Sequence, residues 1–203
     1  LNNLSHRLQQ FFMKKKENAH PSKGIGPPPP FTLIIGIGNP SPKYEHTYHN
    51  IGVLMADFLL AQNDFPIPIM KSDVFMNESG ALAMKVLSRT RTKPEHLLVI
   101  HDESDLTIGS FKLSYGRGAA GHKGVENIMP ALGTKNFWRL RIGIRPHEAI
   151  SENADARANK NLHPIRSGGK AGEFVLKKIS KEHRILFQEV FRNALAKIRG
   201  ISN

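Results

Sequence analysis

Three short stretches of this 203-residue chain hold the residue types that could do chemistry. LIIGIGNPSPKYEHTYHN, residues 33–50, carries an apolar run into Asn39 and closes on the pair His49-Asn50. LLVIHDESD, residues 97–105, carries a second apolar run into acids, Asp102 first among them. YGRGAAGHKG, residues 115–124, is rich in glycine and adds Arg117 and Lys123. An imidazole beside a buried carboxylate makes a general base at neutral pH. The carboxylate fixes the tautomer and stabilises the imidazolium, while the free nitrogen takes a proton from water. In open α/β sheets ligands bind beyond the carboxyl ends of strands. If the strands ending in Asn39 and Asp102 are parallel neighbours, both residues lie on one rim and His49 reaches the same cleft. A lone His is more often an ordinary core or surface residue, but the setting between Asn39 and Asp102 favours a site.

Other chemistries lack their residues. There is no cysteine, hence no thiolate nucleophile, disulfide or cysteine zinc site. No serine sits in a G-x-S-x-G elbow, and none of the ten histidines forms H-E-x-x-H. The glycine-rich loop can bring backbone amides to a phosphate but lacks the G-K-[ST] of an NTPase. GIGNP places Pro40 where a dinucleotide-binding helix would begin. Water activated by histidine is what remains.

The elements that must position these groups follow from periodicity. FTLIIGIG and Leu97–Ile100 read as buried strands, and GSFKLSYG and FWRLRIGIRP alternate as two more. The glycines after the first strand are expected to let it turn sharply. Helices are expected in HNIGVLMADFLLAQN, in SGALAMKVLSRT capped by Ser79, and in KGVENIMPALG despite Pro130. GEFVLKKIS reads as a short strand or extended crossing segment. KEHRILFQEVFRNALAKIRG reads as a closing amphipathic helix with apolar positions Ile185, Leu186, Val190, Leu195 and Ile198. Strands alternating with helices predict one α/β domain over residues 31–203, a mixed sheet between helices. Residues 147–169 form a long polar loop without periodicity.

A net charge of +12 and a pI near 10.1 point to a polyanionic partner, nucleic acid first. No apolar run approaches the roughly 18 residues needed to span a bilayer, so no membrane partner is expected. Residues 1–30 stand apart: an acid-poor, basic, amphipathic start followed by the stiff linker HPSKGIGPPPP. That start is like an organelle transit peptide, with a disordered basic tail or a helix docked on a partner as the alternative readings.

Together the blocks IIGIGNPSPKYEHTYHNIG, FMNESGALA, HDESDLTIGSFKL, GHKGVENI and RLRIGIRP resemble the bacterial and organellar peptidyl-tRNA hydrolase family. The resemblance implies a monomeric α/β protein with a twisted mixed sheet flanked by helices on both faces. It implies an esterase needing neither metal nor cofactor that cleaves peptide from tRNA. Carried over block by block, His49 would activate water, Asp102 would orient its imidazole, and Asn39 would read the substrate. Asn77 would bind next to the scissile ester, with Tyr44 and Phe75 lining the cleft. Lys112 and Arg141 match the residues that grip the tRNA 5′-phosphate.

Three departures mark this chain. GHKG stands for the family's GHNG, so Lys123 replaces a substrate-holding Asn and would bring a cation toward His49. Tyr48 stands where RHN is usual, and the span from Asn50 to Met76 is shorter than the pattern. These features suit a divergent fungal mitochondrial member in the matrix, with a cytoplasmic location as the alternative. They also open a second reading: a non-catalytic relative serving the mitochondrial ribosome and bound to ribosomal RNA and proteins. Retention of Asn39, His49, Asp102 and Asn77 favours the enzyme.

Overall fold

The computed structural model describes residues 31–62, 64–146 and 174–201. In chain order these are β1 (Leu33–Gly36), α1 (Ile51–Leu60), β2 (Ile69–Lys71) and α2 (Ser79–Thr90). β3 (Leu97–Thr107), β4 (Phe111–Tyr115), α3 (Lys123–Leu132), β5 (Trp138–Arg145) and α4 (Lys181–Ile201) follow. The five strands form one sheet in the order β2-β1-β3-β5-β4. All pairs are parallel except β4 with β5. This is the expected mixed α/β sheet. The expectations for residues 1–30 and for the loop 147–169 lie outside the described residues.

Alternation along the strands assigns each face its helices. Ile34, Leu98, Ile100, Leu140 and Ile142 pack with Ile51, Met55 and Leu59 of α1 and with Phe187, Val190 and Phe191 of α4. The opposite set, Leu33, Ile35, Leu97, Val99 and Phe137, packs with Leu82 and Val86 of α2 and Val125 and Ile128 of α3. The buried stripe of α4 thus runs through Phe187, Val190, Phe191, Ala194, Leu195 and Ile198. Ile185, expected on it, is 73% exposed, and Leu186 is also exposed, because both fall on the outer side of the helix.

Three further expectations change, and one element goes unexpected. The glycines after β1 do not turn the strand; they admit a helix. A Cβ on Gly36 would lie 2.4 Å from the Gly52 carbonyl oxygen, and one on Gly52 would lie 2.2 Å from that of Ile100. Ser79 does not cap α2 but is its first residue, and its hydroxyl donates back to the Met76 carbonyl at 2.9 Å. From Phe174 onward, GEFVLKKIS is helical at Phe174 and Val175, turns, and then makes an isolated bridge, Lys178 with Thr47, rather than a strand. A three-residue strand, β2, was not legible, since no run of apolar alternation announces it.

Candidate active site

β1 and β3 are parallel neighbours, with Gly36 opposite Ile100. β1 ends there, but β3 does not stop at Ile100 as expected and runs on to Thr107, so Asp102 lies within the strand, opposite Ile142, just past the end of β1. Beyond β1, Asn39 is tied to Asn50 by two hydrogen bonds. Its amide donates to Asn50 Oδ1 at 2.8 Å, and Asn50 Nδ2 donates to the Asn39 carbonyl at 2.9 Å. Asn50 closes the short 3₁₀ turn Tyr48–Asn50 that runs directly into α1. The pair His49-Asn50 therefore divides its labour: Asn50 shapes the loop, and His49 faces the chemistry. The Asn39 side chain accepts from the Met76 amide through Oδ1 at 3.0 Å, which leaves Nδ2 as its available donor.

His49 Nδ1 meets Asp102 Oδ1 at 2.8 Å. The same oxygen meets His122 Nε2 at 2.9 Å. His122 sits at the N-cap of α3, where its Nδ1 accepts from the Val125 amide at 3.3 Å. That capping bond places the His122 proton on Nε2, pointing at the carboxylate. With His49 Nδ1–H also donated to Asp102, His49 Nε2 is left as the free base. Burial alone would raise the Asp102 carboxyl, but His122 and His49, by charge and by hydrogen bond, outweigh it and hold it well below the usual range. His101, the next residue back, is fully buried and kept neutral by desolvation and by its neighbour His122.

His49, Asp102 and His122 also offer three ligand atoms within 4.8 Å of one another, the geometry of a potential metal site. To ligate a cation, His122 would have to surrender the Nε2 proton and move it onto Nδ1, breaking the cap of α3. The donor set is thus engaged as a hydrogen-bonded relay. His122 escaped the sequence reading because attention in GHKG went to the lysine. Its position immediately before a helix, as a potential cap, was the available signal.

The remaining expected residues differ in exposure and partners. Phe75 is 46% exposed, Tyr44 is half-buried and Asn77 is exposed on the 3₁₀ turn Met76–Glu78. Lys112 and Arg141 are register partners on β4 and β5 and so share a face of the sheet. Arg141 Nε donates to Glu103 Oε2 at 2.8 Å. The Lys123 ammonium does not press on His49: it pairs with Glu126 at 3.0 Å, and its side chain is 77% exposed. Tyr48 is buried, stacked on Phe174 with ring centroids 4.6 Å apart, and its phenol meets His183 Nδ1. Tyr48 thus joins the turn that bears His49 to α4.

The peptidyl-tRNA hydrolase family profile matches residues 33–203. The chain is 39% identical over 157 residues to a peptidyl-tRNA hydrolase of Bordetella avium, covering 68% of this chain and 75% of that protein. It is 33% identical over 193 residues to one from Thermodesulfovibrio yellowstonii, covering 84% and 92%. The crystal structure of the Acinetobacter baumannii peptidyl-tRNA hydrolase superposes with a TM-score of 0.68 at 27% identity, covering 87% of this chain and 91% of that one. The chain belongs to the peptidyl-tRNA hydrolase family.

Proposed function

We propose that this protein hydrolyses the ester between a peptide and the ribose of tRNA, using water activated by His49. The observation that carries the reading is the 2.8 Å bond from His49 Nδ1 to the buried, ionised Asp102, on the rim shared with Asn39. His49 Nε2 takes a proton from water as the oxygen attacks the ester carbonyl carbon. The carbon–oxygen bond to the ribose then breaks, and the ribose oxygen receives the proton from the imidazolium. Asp102 holds the ring and stabilises its transient charge; a base so placed contributes about 10²–10⁴-fold.

Asn39 Nδ2 is suited to donate to a carbonyl of the substrate, and Asn77 and Phe75, both exposed nearby in sequence, to contact the esterified end. Because Asn39 Oδ1 is already engaged by Met76, its reading of the substrate is by donation alone. Lys112 and Arg141 supply charge for tRNA phosphates, which fix position without reading sequence. Lys123, turned outward, can join them from the edge of the cleft.

Hydrolysis of N-acetyl-aminoacyl-tRNA, wild type against His49→Ala, tests the reading. Turnover by the wild type and its near loss in the variant are expected. A folded wild type that releases no N-acetyl-amino acid refutes it, and stable co-sedimentation with mitochondrial ribosomes in high salt would then favour the ribosomal alternative.

A further inference from the structure

The face of the sheet that carries Arg141 also carries a cation that the reaction described above does not use. On β5, Arg139 stands two residues before Arg141 and therefore on the same side. Register places Ser114 beside Arg139 and Lys112 beside Arg141 on β4. Arg139 is 1% exposed, yet its Nε, Nη1 and Nη2 have no hydrogen-bond partner among the described residues. The charged groups that act on it are Arg141, Glu103 and Arg117 of the glycine-rich loop. Burial and the two other arginines push its guanidinium down to about 10. Glu103, the one carboxylate in this group, is already bonded to Arg141. His101, whose buried Nε2 is also unpartnered, is neutral and cannot balance a charge.

Buried charges in proteins are paired, because an isolated desolvated ion is costly. Here the cations outnumber the carboxylate, and the innermost has five N–H donors and no acceptor. Such a group is complementary to a phosphate, whose oxygens suit the planar guanidinium fork. The glycine-rich loop over it holds Gly116, Ala120 and Gly121 at positive φ, a backbone form that lets successive amides face an anion.

We propose that Arg139 is a phosphate-binding residue, forming with Arg117 the inner wall of an anion site whose outer members are Lys112 and Arg141. This rests on the tRNA reading for the identity of the substrate, but the charge imbalance stands without it. Glu103 is then a positioning residue: it holds Arg141 by Nε and leaves the terminal nitrogens to the ligand. Among the described residues the charge of Arg139 has no bonded partner, and the bound phosphate neutralises it.

Arg139→Met, close in volume and uncharged, is the informative variant. Three results are expected. Without ligand the variant melts higher than the wild type, because an unpaired buried charge has been removed. Inorganic phosphate raises the melting temperature of the wild type, but not of the variant. KM for N-acetyl-aminoacyl-tRNA rises about tenfold or more, the loss expected for a charge-assisted hydrogen bond, and falls on KM rather than kcat. A substrate stripped of its 5′-phosphate separates two sources of the group. If the variant's defect disappears on it, the terminal phosphate is bound; if the defect persists, an internucleotide phosphate is. A variant that keeps both the phosphate-dependent shift and the wild-type KM overturns the proposal. Should Arg139→Met not fold, Arg139→Lys keeps the charge without the fork and is expected to lose most of the phosphate shift; full retention overturns it equally. The phosphate shift needs no turnover, so its failure is distinct from failure of the hydrolase reading.

Discussion

Asp102 offers one oxygen to two imidazoles, and only one of them keeps its second nitrogen open. The Val125 amide engages the other nitrogen of His122, whereas His49 Nε2 has no such tie among the described residues. The positive charge that develops during proton transfer therefore belongs to His49. Asp102→Asn replaces an acceptor of two N–H groups with an amide that can present a donor to one of them. The expected result is a fall in kcat of about 10²-fold or more with KM little changed, read from steady-state hydrolysis. Stability gives an independent sign. The Asp102 carboxyl is depressed below its ordinary 3.8 in the fold, so its contribution is fully present above that value and is lost as pH falls below it. Urea unfolding at pH 7 and pH 3 should show the wild type losing stability on acidification, and Asp102→Asn losing less.

At the scale of elements, catalysis depends on how close α1 lies to the sheet. The 3₁₀ turn bearing His49 leads into α1 without a break, so the helix sets where the imidazole sits. A methyl group on Gly52 would meet the carbonyls of Ile100 and Ile37 at 2.2 and 2.6 Å, both backbone atoms that cannot rotate away. Gly52→Ala should cost at least about 1–3 kcal/mol of stability, as overpacking does. It should also reduce kcat more than any loss of folded protein explains, since α1 must lift and carry His49 from Asp102; calorimetry and active-site titration together check this. The sequence showed β1, β3 and the four helices because their apolar periods are strong. It hid the purpose of Gly36 and Gly52, since a helix crossing at contact distance leaves no periodic mark. It also hid β2, whose three residues are a strand only because β1 offers them an edge.

For the whole molecule, a net +12 implies that tRNA is held largely through phosphates, with counterions released on binding. KM should therefore climb steeply with ionic strength while kcat stays nearly constant, which hydrolysis rates from low to physiological salt will show. A salt-independent KM would mean that the basic surface is not the tRNA surface. Charge and motif order made the partner and the rim legible from sequence, with Asn39, His49 and Asp102 expected where the fold brings them. Side-chain direction was not legible: Lys123 turns out to Glu126, and Arg139 turns in with no hydrogen-bond partner among the described residues. Neither follows from spacing, because both depend on which neighbouring acid the fold leaves unengaged.

The brevity of β2 bears on how such a protein keeps to itself. It is one border of the sheet, and a border strand is a template on which another chain can add. Pro66 and Pro68 precede it and have no N–H to offer, while Lys71 ends it with a charge paired to Asp57 at 2.6 Å. Three residues so bounded give an incoming strand almost nothing to zip onto. That flank is thus guarded against edge-to-edge aggregation.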